Sequence, residues 1–186
     1  MQEGKSTDIS EKILVEGCKK NDRKIQELLY RKFSGEMYNI CLAYEDDRDK
    51  AKDILQEGFI KVFRSIQSFE YQGSLKAWVR KIITNTAIDH WRRNSKGYNL
   101  LSLDNITPAD HPANPSPAND YSDILEQVNK LPSGARVIFN LYALEGYSHK
   151  EIAAMLDITE GTSKSQVNRA RQILQRHLSK FFRSDE

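Results

Sequence analysis

Between Gly97 and Ser122 the chain carries four prolines, Pro108, Pro112, Pro115 and Pro117, and neither a lysine nor an arginine. Each proline removes a backbone donor and pushes the residue before it out of the helical region. This stretch therefore reads as an extended linker, and it divides the chain into two blocks that must each bury a core. At 186 residues there is room for two small domains or one of medium size. The sequence predicts an all-α fold: a helical domain over 9–96, a flexible linker over 97–122, and a second helical domain over 123–182.

The N-terminal block reads as four helices. The first spans Ile9 to Lys20, with Ile13, Leu14 and Gly17 on one side. Asn21 or Asp22 caps the second, which carries Ile25, Leu28, Leu29, Phe33, Met37, Ile40 and Cys41 near a 3.6-residue period. The third runs from about Asp46 to Ile66, with Leu55, Phe59, Val62, Phe63 and Ile66 on one face and Asp53, Gln56 and Glu57 largely on others. Ser74 caps the fourth, whose buried stripe is Leu75, Trp78, Val79, Ile82, Ile83 and Thr86. Lys81, Asn85, Asp89, Arg92 and Lys96 lie opposite.

Beyond the linker, Leu125, Val128 and Leu131 open the C-terminal block, and Pro132 interrupts it. Val137, Ile138, Leu141, Tyr142 and Leu144 mark a further helix. Ser148-His149-Lys150-Glu151 is a capping box, followed by the apolar face Ile152, Ala153 and Leu156. Asp157 sits in the turn, at a position that often needs positive φ, and Thr159 caps the last helix. There Ser163, Val167, Ala170 and Leu174 line an inward face. Thr162, Lys164, Ser165, Gln166, Asn168, Arg169 and Gln172 remain as candidates to enter a major groove. Helix-turn-helix is the motif that this layout fits.

Charge supports the same division. The net charge of +2 is too small to argue for nucleic acid. Yet Ser74 to Lys96 holds six basic residues against Asp89 alone, and Lys130 to the end holds nine against six acidic ones. Cys18 and Cys41 have no metal-like spacing, so no metal or cofactor is expected, and a reducing cytoplasm fits. His90, His111, His149 and His177 are scattered, with no nucleophile grouping and no Gly-rich phosphate loop, which argues against an enzyme. The N-terminus is polar and no apolar run approaches the roughly 20 residues of a membrane helix.

The segment EIAAMLDITEGTSKSQVNRARQIL resembles the C-terminal DNA-binding domain of bacterial sigma factors of the extracytoplasmic-function group. DRDKAKDILQEGFIKVFRSIQSFE followed by SLKAWVRKIITNTAIDHWRRN resembles the other domain of that family, in the right order. The resemblance implies a transcription initiation factor that binds core RNA polymerase and directs it to specific promoters. It implies that the N-terminal domain docks on the β′ coiled coil and opens DNA at the minus-ten element. The C-terminal domain would bind the minus-thirty-five element and the β flap.

Carried over residue by residue, Asp53, Gln56 and Glu57 match the DxxQE segment that faces polymerase. Phe69, Tyr71, Gln72 and Gly73 fall in the loop that captures a flipped base. Asn85, Asp89, Arg92 and Arg93 match the promoter-facing side, with Lys81 adding a phosphate contact. Gln166 departs from the arginine of many relatives, and Asp157 from the turn glycine. Many relatives are held inactive by an anti-sigma factor, often tethered in the inner membrane, and the resemblance carries that partner with it. The competing reading, a stand-alone DNA-binding regulator, leaves the DxxQE helix and the loop without a role.

Overall fold

The structure, a computed structural model, describes residues 10–94 and 127–181, with side-chain environments as far as 177. The proposed linker, together with Lys96 and Leu125, lies outside the described residues. Every regular element among the described residues is helical. The chain divides into two compact units between His90 and Trp91.

The first unit holds α1 (Glu11–Lys19), α2 (Arg23–Tyr44), α3 (Arg48–Ser65), a 3-10 turn (Ile66–Ser68) and α4 (Leu75–Asn94) as far as His90, the last turn of α4 falling past the division. Its helix ends follow capping chemistry closely. Asn21 takes the left-handed conformation, with φ 58°. The N–H groups of Asn21 and Asp22 then reach the carbonyls of Cys18 and Gly17, which closes α1 with a Schellman arrangement. Asp22 opens α2 by accepting from the N–H groups of Lys24 and Ile25. Of the two residues offered for one cap, each thus performs a different task. Asp47 caps α3 in the same way, and these backbone N–H groups hold its carboxyl below the usual range.

The core of this unit is Leu14, Val15, Leu29, Met37, Ile54, Val62, Ile66, Leu75, Val79 and Ile83. One expectation is corrected: Ile13 is 56% exposed, whereas Leu14 is buried as expected, with Val15 and Cys18 beside it. In a nine-residue helix, stripes that run through Leu14 with either Ile13 or Val15 beside it satisfy a 3.6-residue period equally well, and packing on α2 chooses between them. Leu28 is likewise at the surface while Leu29 is buried.

Gly17 faces α2 so closely that a β-carbon there would stand 2.7 Å from both γ-carbons of Ile25. These atoms are the stem of the Ile25 side chain and cannot swing aside. Gly17→Ala should therefore destabilise the unit by about 1–3 kcal/mol through overpacking, less up to about 1 kcal/mol of helix propensity gained. A urea midpoint equal to that of the unchanged protein would contradict this packing.

Cys18 and Cys41 are both free and buried. Burial pushes the Cys18 thiol up to about 11, with a smaller contribution from the Asp22 charge, and the Cys41 thiol up to about 12. Thiolate is the reactive form, so a disulfide reagent at about pH 8 should modify neither in the folded protein and both after unfolding. Rapid modification before unfolding would show that α1 or α2 opens readily.

Beyond the end of α4, the described part of the second unit resumes with a helical turn at 127–129 and continues through α5 (Ser133–Phe139) into a π-helical segment (Asn140–Leu144). It ends with α6 (His149–Leu156) and α7 (Glu160–Phe181). Val128, Leu131 and Ala135 pack against Ala170 and Leu174 of α7. The sequence predicts one regular helix through Leu144, but the Glu145 N–H bonds back five residues to Asn140. This wider turn rotates the chain, and Leu144 is left 39% exposed.

Candidate functional site

On α3, Asp53 and Gln56 project into solvent, and neither forms a hydrogen bond or ion pair among the described residues. Glu57 differs. Its Oε2 lies 2.5 Å from Nε2 of His90, and its Oε1 lies 2.9 Å from Nζ of Lys61. Lys61 also stands 3.7 Å from Oδ2 of Asp89. The hydrogen bond to His90, then that to Lys61, holds the Glu57 carboxyl down at about 2. A depressed acid stabilises the fold above its ordinary value near 4.5. That contribution is lost as pH falls toward 2.

Glu57 therefore carries its negative charge at any physiological pH while tying α3 to α4. Sequence reasoning missed His90 as its partner. The two residues are 33 apart, and only the packing of the helices joins them.

The loop between the 3-10 turn and α4 separates its residues by depth. Phe69 is 3% exposed. Its ring lies 5.3 Å from Trp78 and 5.1 Å from Tyr71. In this position Phe69 anchors the loop and offers no face to a base. Tyr71 is 46% exposed and left-handed, with φ 59°. For a non-glycine residue that conformation costs about 1–2 kcal/mol. Gln72 is exposed, with its amide 3.3 Å from Glu70. Gly73 has φ 101°, which glycine adopts without strain. Ser74 then caps α4 by accepting from the Ala77 N–H.

On α4, Lys81, Asn85, Asp89 and Arg92 are exposed at spacings of four, four and three, so they share one side of the helix. Arg93 is exposed beside them, and the two arginines suit the negative end of the helix dipole. Trp78 is half-buried against Phe69, while the Trp91 indole N–H is buried with no partner among the described residues.

In the second unit the capping box is complete. Ser148 accepts from the Glu151 N–H, and the Glu151 carboxylate accepts from the Ser148 N–H at 2.8 Å. Asp157 takes φ 55° and ψ 49°, the left-handed conformation expected at the turn. Thr159 caps α7 by accepting from the Thr162 N–H at 3.0 Å. Along α7, Ser163, Val167, Ala170 and Leu174 are buried, which leaves the opposite side clear.

There Lys164, Ser165, Asn168 and Gln172 are exposed, and Thr162 and Arg169 are half-buried. Lys164 reaches toward Glu160 at 3.8 Å, an exposed pair of little strength. Gln166 stands apart from this group. It is 8% exposed and its Oε1 lacks a partner among the described residues. It lies beside the buried Val167, on the inward side of the helix, so its amide does not extend the exposed row.

A further set ties the two helices of the motif. His149 Nδ1 lies 3.0 Å from the buried Ser163 hydroxyl, and its ring stacks on Tyr142 at 4.5 Å. The Arg171 guanidinium sits 5.5 Å from the centre of the same tyrosine ring. Tyr142 comes from the π-helical segment, so the irregular turn that sequence reading passed over supplies the platform.

Among the described residues no group of three or more His, Cys, Asp or Glu side chains could hold a metal ion. No described helix is long and apolar enough to cross a membrane. The arrangement is one of surfaces: an acidic and amide face on α3, a strained loop leading to a polar and basic face on α4, and a capped helix pair with a polar and basic outer side.

Known proteins share both halves. Residues 29–97 match the Sigma-70 region 2 family and residues 121–174 match the Sigma-70 region 4 family. The ECF RNA polymerase sigma-E factor of Haemophilus influenzae is 27% identical over 179 residues, spanning 90% of this chain and 94% of that one. The factor of the same name from Escherichia coli K12 is 27% identical over 181 residues, 91% and 94% of the two chains. SigE of Mycolicibacterium smegmatis is 31% identical over 162 residues, 82% of this chain and 61% of that protein.

Among solved structures, the sigma factor RpoE of Bartonella quintana, crystallised with the anti-sigma factor NepR, matches with a TM-score of 0.50 at 27% identity. The match covers 82% of this chain and 96% of that one. CnrH, solved with the cytosolic domain of CnrY, has a TM-score of 0.50 at 18% identity and shares the fold.

Proposed function

The chain belongs to the extracytoplasmic-function group of RNA polymerase sigma factors, transcription initiation factors that bind core polymerase and direct it to specific promoters; on that premise we propose how its surfaces divide the work. Residues 9–96 dock on polymerase and open the minus-ten element, 97–122 connect, and 123–182 read the minus-thirty-five element. The observation that carries this division is the pairing of an uncommitted Asp53–Gln56 face on α3 with a fully capped helix-turn-helix in the other unit.

Asp53 and Gln56 meet polymerase directly. Glu57 acts from within its network with Lys61 and His90, lending negative potential to the same face. Tyr71, Gln72 and Gly73 receive the flipped base, with Phe69 as their buried support. Lys81, Asn85, Asp89, Arg92 and Arg93 follow the opened strand. Thr162, Lys164, Ser165, Asn168, Arg169 and Gln172 face the upstream groove, and Gln166 is reassigned from that set to the helix interior.

The protein acts by binding, in the cytoplasm where polymerase and chromosome meet, and the chemistry of RNA synthesis belongs to polymerase. An anti-sigma factor is its natural restraint, by likeness to the Bartonella quintana complex. Promoter retention in a gel should require core polymerase. Equal retention of the same duplexes by the protein alone would favour a stand-alone regulator.

A further inference from the structure

The loop read above as capturing a base is braced from outside. Four hydrogen bonds and one ring contact tie it and its two flanks to α1, which lies far earlier in the chain. The Glu16 carboxylate accepts from the Tyr71 hydroxyl at 2.8 Å. Lys19 Nζ donates to the Phe69 carbonyl at 3.2 Å and stands 5.4 Å from the centre of the Tyr71 ring. The Gln67 amide donates to the Lys19 carbonyl at 2.6 Å, and the Leu75 N–H donates to the Glu11 carboxylate at 3.1 Å. These contacts fasten the loop before its first residue, at its centre, and where α4 begins.

The residue held at the centre is the one whose backbone needs holding. Tyr71 is the single described non-glycine residue of this loop with positive φ, and it is exposed. A chain free to relax would return it to ordinary extended backbone and re-aim Gln72 and Gly73 with it. Helix α1 precedes residue 29, where the match to the Sigma-70 region 2 family begins. The fastening is therefore not among the features on which that match rests.

We propose that α1 is a positioning element for promoter opening: Glu16 and Lys19 hold Tyr71 in its left-handed, exposed conformation before DNA arrives, so that the loop meets the flipped base already shaped. The proposal rests on the reading of 69–74 as the base-capture loop. Preorganisation of this kind lowers the ordering cost at the moment of capture. Its effect falls on strand opening and not on polymerase docking or closed-complex formation.

The test uses holoenzyme assembled from core polymerase and the full chain. The DNA is a promoter fragment recovered by transcript mapping, with 2-aminopurine in the minus-ten region to report opening. Glu16→Ala and Tyr71→Phe should each slow opening about threefold to tenfold, the scale of one ordinary hydrogen bond, because solvent at this exposed site screens the carboxylate's charge. Closed-complex affinity and thermal midpoint should stay unchanged. Glu16→Gln should restore most of the rate, because its amide oxygen can still accept the phenolic proton.

If Tyr71→Ala and Gln72→Ala slow opening while Glu16→Ala does not, the loop reading stands and the role of α1 is overturned. If Glu16→Ala weakens the closed complex and opening alike, α1 is a structural prop and the proposal also fails. If neither loop substitution affects opening, the loop reading itself falls, and the role of α1 with it.

Discussion

Asp53→Lys should lower the affinity of the protein for core RNA polymerase about tenfold to a hundredfold, a loss of about 1.4–2.8 kcal/mol, and leave the thermal midpoint in place. Asp53 is exposed and makes no hydrogen bond or ion pair among the described residues, so nothing in the fold depends on its charge. Exposed substitutions of this kind shift stability by about 0.5 kcal/mol or less. Docking, in the arrangement proposed above, would gain from charge complementarity with a basic partner surface, and reversal would turn attraction into repulsion.

The companion change Glu57→Lys has a different signature. It sets a second cation beside Lys61, takes away the acceptor that His90 bonds and breaks the tie between α3 and α4. Both polymerase affinity and the unfolding midpoint should fall. Titration of labelled protein with core polymerase, beside a melting curve for each variant, separates the two cases. Full affinity in Asp53→Lys would remove α3 from the docking surface.

Arg169→Ala lowers initiation about tenfold at promoters that depend on the upstream element, within the roughly 1–3 kcal/mol that one good base contact provides. Arg169 lies half-buried on α7, in the stretch where Ser165, Asn168 and Gln172 are exposed. If it reads a base, the loss is concentrated at one promoter position and specificity relaxes there. If it grips a phosphate, binding weakens across all sequences and the salt slope falls by about 1. Transcription from a set of single-base promoter variants at two salt concentrations distinguishes these. Unaltered initiation at every promoter would mean that the groove is entered by another side of α7.

Local chemistry made much of this legible in the sequence. Asp22, Ser74, the Ser148–Glu151 box and Thr159 cap helices because a short polar side chain beside free N–H groups has few alternatives. Asp157 was readable as a left-handed turn residue for a similar reason. The inward stripe of α7 followed from its spacing in a long helix.

What escaped was set by packing between distant segments. Ile13 and Val15 compete for the place beside Leu14 until α2 is in place. Phe69 and Gln166 have the composition of contact residues, but one is needed as an anchor under the loop and the other lies on the side of α7 that faces inward. The Glu57–His90 pair and the fastening of Tyr71 by Glu16 join residues 33 and 55 apart. No periodicity records such pairs. The π-helical segment was hidden because its apolar residues also fit a regular helix, and only the bond from Glu145 to Asn140 reveals the extra residue in the turn.

The most direct test is run-off transcription on fragmented genomic DNA with purified bacterial core polymerase, with and without this protein, mapping every transcript start by sequencing. Starts that appear only with the protein, and that share two sequence elements at a fixed spacing, are the predicted result. An unchanged set of starts, with no association between the protein and core polymerase, would contradict its role as an initiation factor.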